Sequence, residues 1–320
     1  MVSITIGGRK RTLRKSSVIL LILIPFVVVA KVYMNYFYND SGICYDAPFN
    51  SNTNINLFLT VTVESPLEIL MFKYASLLGL SLVNKRRPSF PPNTMLENVF
   101  YIHYTSPERT DCWDKRIESI PMGYDVSLTS LPQKNVSIKG YLQSWKYFQS
   151  IEQTIRKEFH FKNSILQETK TKFNKYIDKA KESAVVGVHV AGNNILYMGD
   201  VIQGLNKAPL TYIQNAMKHM RLKYKNVKFL VLCDDSNWCE AYIKGSDVVV
   251  ADETNSTTQL ILLSLCHHSI VTTGLIGYWG AWLANGHTVY YSDYIRRQSA
   301  MAKHIRYNDF FPPHWVPMSI

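Results

Sequence analysis

"AVVGVHVAGNNILYMGD", residues 184–200, starts as an apolar run and breaks at Ala191-Gly192-Asn193-Asn194. With His189 its only strongly polar side chain, the first half reads as a strand buried on both faces. Glycine and asparagine at its end read as a turn where backbone approaches a ligand. The same pattern repeats downstream. A helix is expected over 209–224, with Leu210, Ile213, Met217 and Met220 on one face. Strand "VKFLVLC" runs through "DDS" into the short helix "NWCEAYI". Then follow strand "DVVVA", helix "TTQLILLSLCHH", strand "SIVTTG", helix "YWGAWLANG" and strand "HTVYYS". Apolar strands alternating with helices predict a doubly wound parallel sheet covered on both faces. Ligands on such sheets bind beyond the carboxyl ends of the strands. Here those ends are "AGNN", "CDDS", "DETN" and "TTGLIG".

The N-terminal half is less regular. "NLFLTVTV" at 56–63 reads as a strand and Glu68 to about Arg87 as a helix, stopped by Pro88, Pro91 and Pro92. Residues 95–180 show an aromatic patch, "GYLQSWKYF" at 140–148, and a charged helical region. Ahead of these, Arg9, Lys10, Arg11, Arg14 and Lys15 precede the apolar "VILLILIPFVVVA" at 18–30, a signal for the secretory route. Extended through Lys31 and the aromatic "VYMNYFY", it gives a signal-anchor span over 18–38 with the positive side cytoplasmic. A cleaved signal peptide ending near Val28 and Ala30 is the competing reading. The expected organisation is a cytoplasmic tail at 1–17, the span at 18–38, a stem at 39–55, an N-terminal lobe at 56–180 and a C-terminal lobe at 181–320. Sequons at Asn135 and Asn255 become candidate glycan acceptors in that compartment, while the one at Asn39 lies too close to the membrane to be expected in use.

The chain has 320 residues, 47% apolar and 12% aromatic, too hydrophobic for disorder. Its net charge of +11 draws it toward anions: nucleic acid, lipid head groups or a phosphorylated substrate. No nucleic-acid-binding signature accompanies that charge, so nucleic acid is not expected as a partner. Among Cys44, Cys112, Cys233, Cys239 and Cys266 there is no C-x-x-C pair, and no metal site is expected. "CHH" at 266–268 reads as packed or strand-end residues.

Four stretches, "VVGVHV", "VLCDDSNWC", "GYLQSWKYF" and "LLSLCHHSIVTTGLIGYWGAWLANGHTVYYSDY", together resemble the α-1,2-fucosyltransferases of glycosyltransferase family eleven, the nematode-expanded branch most of all. The resemblance runs from about residue 60 to the C-terminus. It implies a type II Golgi membrane protein with a two-lobed, GT-B-like α/β fold. It also implies transfer of L-fucose from GDP-fucose to the 2-hydroxyl of a galactoside, with inversion and without metal or other cofactor. A nucleotide sugar and a galactoside-terminated glycan are then the expected partners. Without metal, an arginine fork and backbone N–H groups must hold the diphosphate.

At the positions where the family places those groups, this chain differs. His189 matches the family histidine, but Ala191 and Gly192 stand in place of two arginines and Asn194 in place of an aspartate. A glycine-rich loop is replaced by Ser65-Pro66-Leu67-Glu68, in which proline lacks an N–H donor and Glu68 repels phosphate. Leu275 and Ile276 replace a hydroxyl–aromatic pair, and Gln259 stands where an acidic residue is expected. Each lost donor raises a barrier by roughly 2.7–4 kcal/mol. The candidate donor-site residues are Gly192, Asn193, Asn194, Asp234, Asp235, Thr273, Gly274 and Leu275, with His189 as the catalytic candidate. Asp235 or Asp234 caps the next helix in the competing view, and His189 then holds the turn. Lys207, Arg296 and Arg297 are substitute cations or plain surface charge. Tyr141 and Trp145 are acceptor-side candidates, and Trp279 and Trp282 read as core. A catalytically inactive family member that binds glycan or a partner protein is the alternative function. An unrelated secreted binding module comes third.

Overall fold

The computed structural model describes residues 2–6, 9–13, 57–104, 110–177, 183–191 and 204–320. The chain divides into two compact units, Met1–Asn52 and Thr53–Ile320. In the first, β1 (Val2–Ile6) and β2 (Arg9–Leu13) form an antiparallel hairpin within the expected cytoplasmic tail. The expected span at 18–38 and stem at 39–55 lie outside the described residues. Among the described residues no helix is long and apolar enough to cross a membrane.

The second unit is α/β and contains two parallel sheets. The first is built from β3 (Phe58–Val61), β4 (Arg87–Pro88), β5 (Asp114–Ile117) and β6 (Val136–Lys139), in the order β4-β3-β6-β5. The second holds β7 (Ala184–Val190), β8 (Val227–Cys233), β9 (Val248–Ala251), β10 (His268–Val271), β11 (Thr288–Tyr291) and β12 (Val316–Met318). Their order is β12-β11-β10-β7-β8-β9, and every pairing within both sheets is parallel.

Alternation along the second sheet covers both of its faces. Val186, Val188 and Val190 pack with Tyr212, Ile213 and Met217 of α5 (Leu210–Lys223). Val185, Leu230 and Leu232 face the other way, joining a core that includes α7 (Ser256–Ser264) and α8 (Leu275–Ala284). That second core does not stop at the sheet. It continues into α1 (Leu67–Val83) and the strands of the first sheet, so the two sheets share one hydrophobic interior.

The junction is aromatic. Phe72 of α1 lies 4.7 Å from the ring of Trp279 and 4.9 Å from that of Tyr278, both on α8. The fully buried Trp279 donates its indole N–H to the carbonyl of Glu68 at 2.8 Å. Trp279 and Trp282 therefore pack as core residues. Gly79 of α1 belongs to the same junction, because a Cβ there would meet the Tyr147 carbonyl oxygen at 1.8 Å. The sequence "CHH" separates α7 from β10. Cys266 is a buried free thiol whose S–H reaches the Leu262 carbonyl at 3.3 Å.

Candidate functional site

In the six-stranded sheet the winding reverses at β7. The chain adds β8 and β9 on one side, then returns to add β10, β11 and β12 on the other. A crevice opens beyond the carboxyl ends of the strands at such a point. Here it is a cavity of about 170 Å³, bordered from the second sheet by His189, Ala191, Asp234, Gln259, Gly274 and Leu275. Glu68, Met122 and Gln143 close it from the side of the first sheet. No lysine or arginine occurs among the described residues that line it.

His189 is 3% exposed and lies under the first turn of α8. Gly277 permits that approach, since a Cβ there would come within 2.9 Å of the imidazole Nδ1. Burial pushes the His189 pKa below its ordinary value, outweighing the Asp234 charge, the Gln259 side chain and the Thr273 backbone, which all favour the cation. The ring is thus neutral near pH 7, and its Nδ1 has no hydrogen-bond partner among the described residues. Thr272 ties the ends of β7 and β10 together, its hydroxyl donating to the His189 carbonyl at 2.9 Å and accepting from the Ala191 N–H at 3.1 Å. Thr273 is buried beside it and does not border the cavity. Gly274 caps α8 at φ 93°, a left-handed conformation that glycine adopts without strain.

Asp234 and Asp235 divide the two roles expected for the pair. Asp235 caps α6 (Ser236–Tyr242), its carboxylate accepting the Trp238 N–H at 3.0 Å. Asp234 is exposed and borders the cavity and also an adjoining pocket of about 310 Å³. That pocket is lined further by Lys207, Trp238 and the disulfide Cys233–Cys239, which staples the end of β8 to α6. Lys207 lies over the Trp238 ring at 5.5 Å and lines the adjoining pocket. Arg297 is exposed and stands 3.9 Å from Asp293. Gly192, Asn193 and Asn194 fall outside the described residues.

Gln259 explains its own identity. Its amide donates to the carbonyls of Glu253 at 2.7 Å and Cys233 at 3.3 Å, two contacts that a carboxylate would turn into repulsions. On the opposite wall, Tyr141 is half-buried against the core, and Trp145 donates its indole N–H to the Asn308 carbonyl at 3.2 Å. The cavity is reached instead by Gln143 between them, 1% exposed, with its amide nitrogen unpartnered. Leu142 beside it takes φ 54°, so the stretch is not a strand, and no alternation in the sequence singles Gln143 out. Of the candidate glycan sites, Asn255 is exposed and caps α7, while the Asn135 side-chain oxygen accepts the Phe58 N–H at 2.9 Å. Asn39 lies outside the described residues.

The model of glycosyl transferase family 11 matches residues 27–319. The chain belongs to that family. Among its relatives is the galactoside α-(1,2)-fucosyltransferase 2 of Sus scrofa, 28% identical over 77% of this chain and 75% of the relative. The protein of the same name in Pongo pygmaeus is 30% identical over 77% and 75%. In architecture it is similar to an Arabidopsis thaliana FUT1 mutant solved in complex with GDP. The TM-score is 0.54 at 11% identity, covering 82% of this chain and 76% of that one. The fold is therefore that of a GT-B-like glycosyltransferase, and the family is one of α-1,2-fucosyltransferase-like proteins. Of the positions at which the sequence departs from the family pattern, Glu68, Ala191, Gln259, Leu275 and Ile276 border the cavity.

Proposed function

We propose that this family 11 chain transfers L-fucose from GDP-fucose to the 2-hydroxyl of a galactoside, by inverting displacement without a metal. The observation that carries the reading is the crevice at the reversal of the sheet, where His189, Asp234 and Gly274 converge from three strands and Gln259 from α7 within a family 11 fold. The nucleotide enters from the second sheet, with Asp234 at the mouth and Lys207 and Trp238 beside it. The acceptor enters from the first. The cationic flank and apolar run before residue 31, with the sequons downstream, favour a type II anchor in the Golgi membrane with the second unit luminal.

The lining favours a second reading as well. With no described lysine or arginine lining the cavity, donor affinity would be weak, and a non-catalytic glycan binder would present the same crevice. Calorimetric titration of the purified chain with GDP and GDP-fucose, followed by transfer to lactose in the presence of EDTA, separates the two. Saturable nucleotide binding with formation of fucosyl-lactose is the expected result. Lactose binding with no response to nucleotide would select the binder.

A further inference from the structure

Transfer to a hydroxyl needs a group that takes its proton, and no residue has yet been given that task. Besides Tyr294, three titratable side chains border the cavity: His189, Asp234 and Glu68. His189 is buried under α8 with Gly277 against its ring, so its exchange with a bound sugar is blocked. Asp234 stands at the mouth, in the wall shared with the adjoining pocket, on the side of the nucleotide. Glu68 comes from the first sheet's side, in the first turn of α1. Its position is fixed, because its own carbonyl holds the indole N–H of Trp279 across the junction.

Gln143 borders the same cavity from the same side, and its buried amide nitrogen has no partner among the described residues. A buried donor without an acceptor is costly unless a ligand supplies one. Carboxylate and amide on one wall are what a sugar bearing adjacent hydroxyls would meet, one hydroxyl donating and its neighbour accepting.

We propose that Glu68 is the catalytic base and that Gln143 binds the acceptor sugar beside it, an assignment that rests on the transferase reading above. The Glu68 carboxylate takes the proton from the acceptor 2-hydroxyl as its oxygen attacks the anomeric carbon of fucose. The bond from that carbon to the diphosphate oxygen breaks, its electron pair leaves with GDP, and the proton ends on Glu68. Gln143 donates to a neighbouring oxygen of the same galactoside. Burial holds the Glu68 pKa above the ordinary carboxylate range, which strengthens it as a base. The other titratable groups facing the cavity are His189, Asp234 and Tyr294.

The test uses the full chain with GDP-fucose and lactose. Glu68→Gln is expected to lower kcat by about 100-fold or more while GDP affinity stays within about twofold of wild type. The acidic limb of the wild-type kcat profile should vanish in that variant, and Glu68→Asp should recover part of the rate. Gln143→Ala should raise the lactose KM with kcat little changed. An active wild type whose Glu68→Gln variant keeps its rate and its acidic limb overturns this assignment alone. A wild type that binds nucleotide and never turns over overturns the transferase reading and this assignment with it.

Discussion

The two walls of the crevice are made differently. From the six-stranded side come the buried neutral His189, Gly274 and the exposed Asp234 at the mouth, with the Thr272 hydroxyl tying the ends of β7 and β10 together. From the four-stranded side come carboxyls lifted out of water. Glu68 borders the cavity, and Glu118, just past β5, is 6% exposed and accepts the N–H groups of Tyr141 and Leu142. Lys73 of α1 lies near Glu118 but spends its own hydrogen bond on the Thr62 carbonyl at 2.8 Å. A wall of scaffold with one exposed carboxylate thus faces a wall of stored charge, and one continuous core joins them. The lesson is that buried charge in this fold collects on the side of the less regular sheet.

The junction is the place to break that comparison hardest. Trp279→Ala should lower stability by about 3–5 kcal/mol, the usual loss for a buried tryptophan. Chemical denaturation followed separately by probes of each sheet should show the loss in both. A loss confined to one sheet would mean that the core is not shared.

The stored charge gives the next largest effect. Burial raises the Glu118 carboxyl from 4.5 to about 7. Between those values the folded chain keeps a proton that the unfolded chain has released, so this group's contribution is full below pH 4.5 and is lost as pH rises through 7. The difference amounts to roughly 3 kcal/mol at most. Glu118→Gln should therefore flatten the fall in stability between pH 5 and pH 8 in urea titrations, and an unchanged slope would assign the dependence elsewhere. The six-stranded side gives the smallest effect. Asp235→Ala removes the cap of α6 and should cost about 1 kcal/mol, read as a modest drop in Tm.

The six-stranded sheet was legible because burial on both faces leaves strands such as "AVVGVHV" and "VKFLVLC" apolar throughout, and the ligand-side turns follow from their ends. The four-stranded sheet hides itself. β4 is two residues long and contains Pro88, and β5 reads "DKRI" with three of its four residues exposed, so neither carries the alternation that marks a strand. The cavity was half legible for the same reason. Asp234, Gly274 and Leu275 stand at strand ends visible in the sequence. Gln143 sits between two aromatic residues that draw the eye, and only its burial without a partner marks it out. Glu68 was noticed as an intrusion on a phosphate loop, but its place on the acceptor wall depends on the Trp279 contact, which joins residues 211 positions apart.

The buried thiol of Cys266 has a practical use. Among the described cysteines it alone is unpaired, and it is packed against Gly187 of the strand at which the sheet reverses. Burial keeps it protonated and unreactive, so an alkylating reagent reaches it only when the packing around β7 opens. Its rate of modification is a built-in clock for the opening of the six-stranded half, readable by mass spectrometry without a label or a mutation.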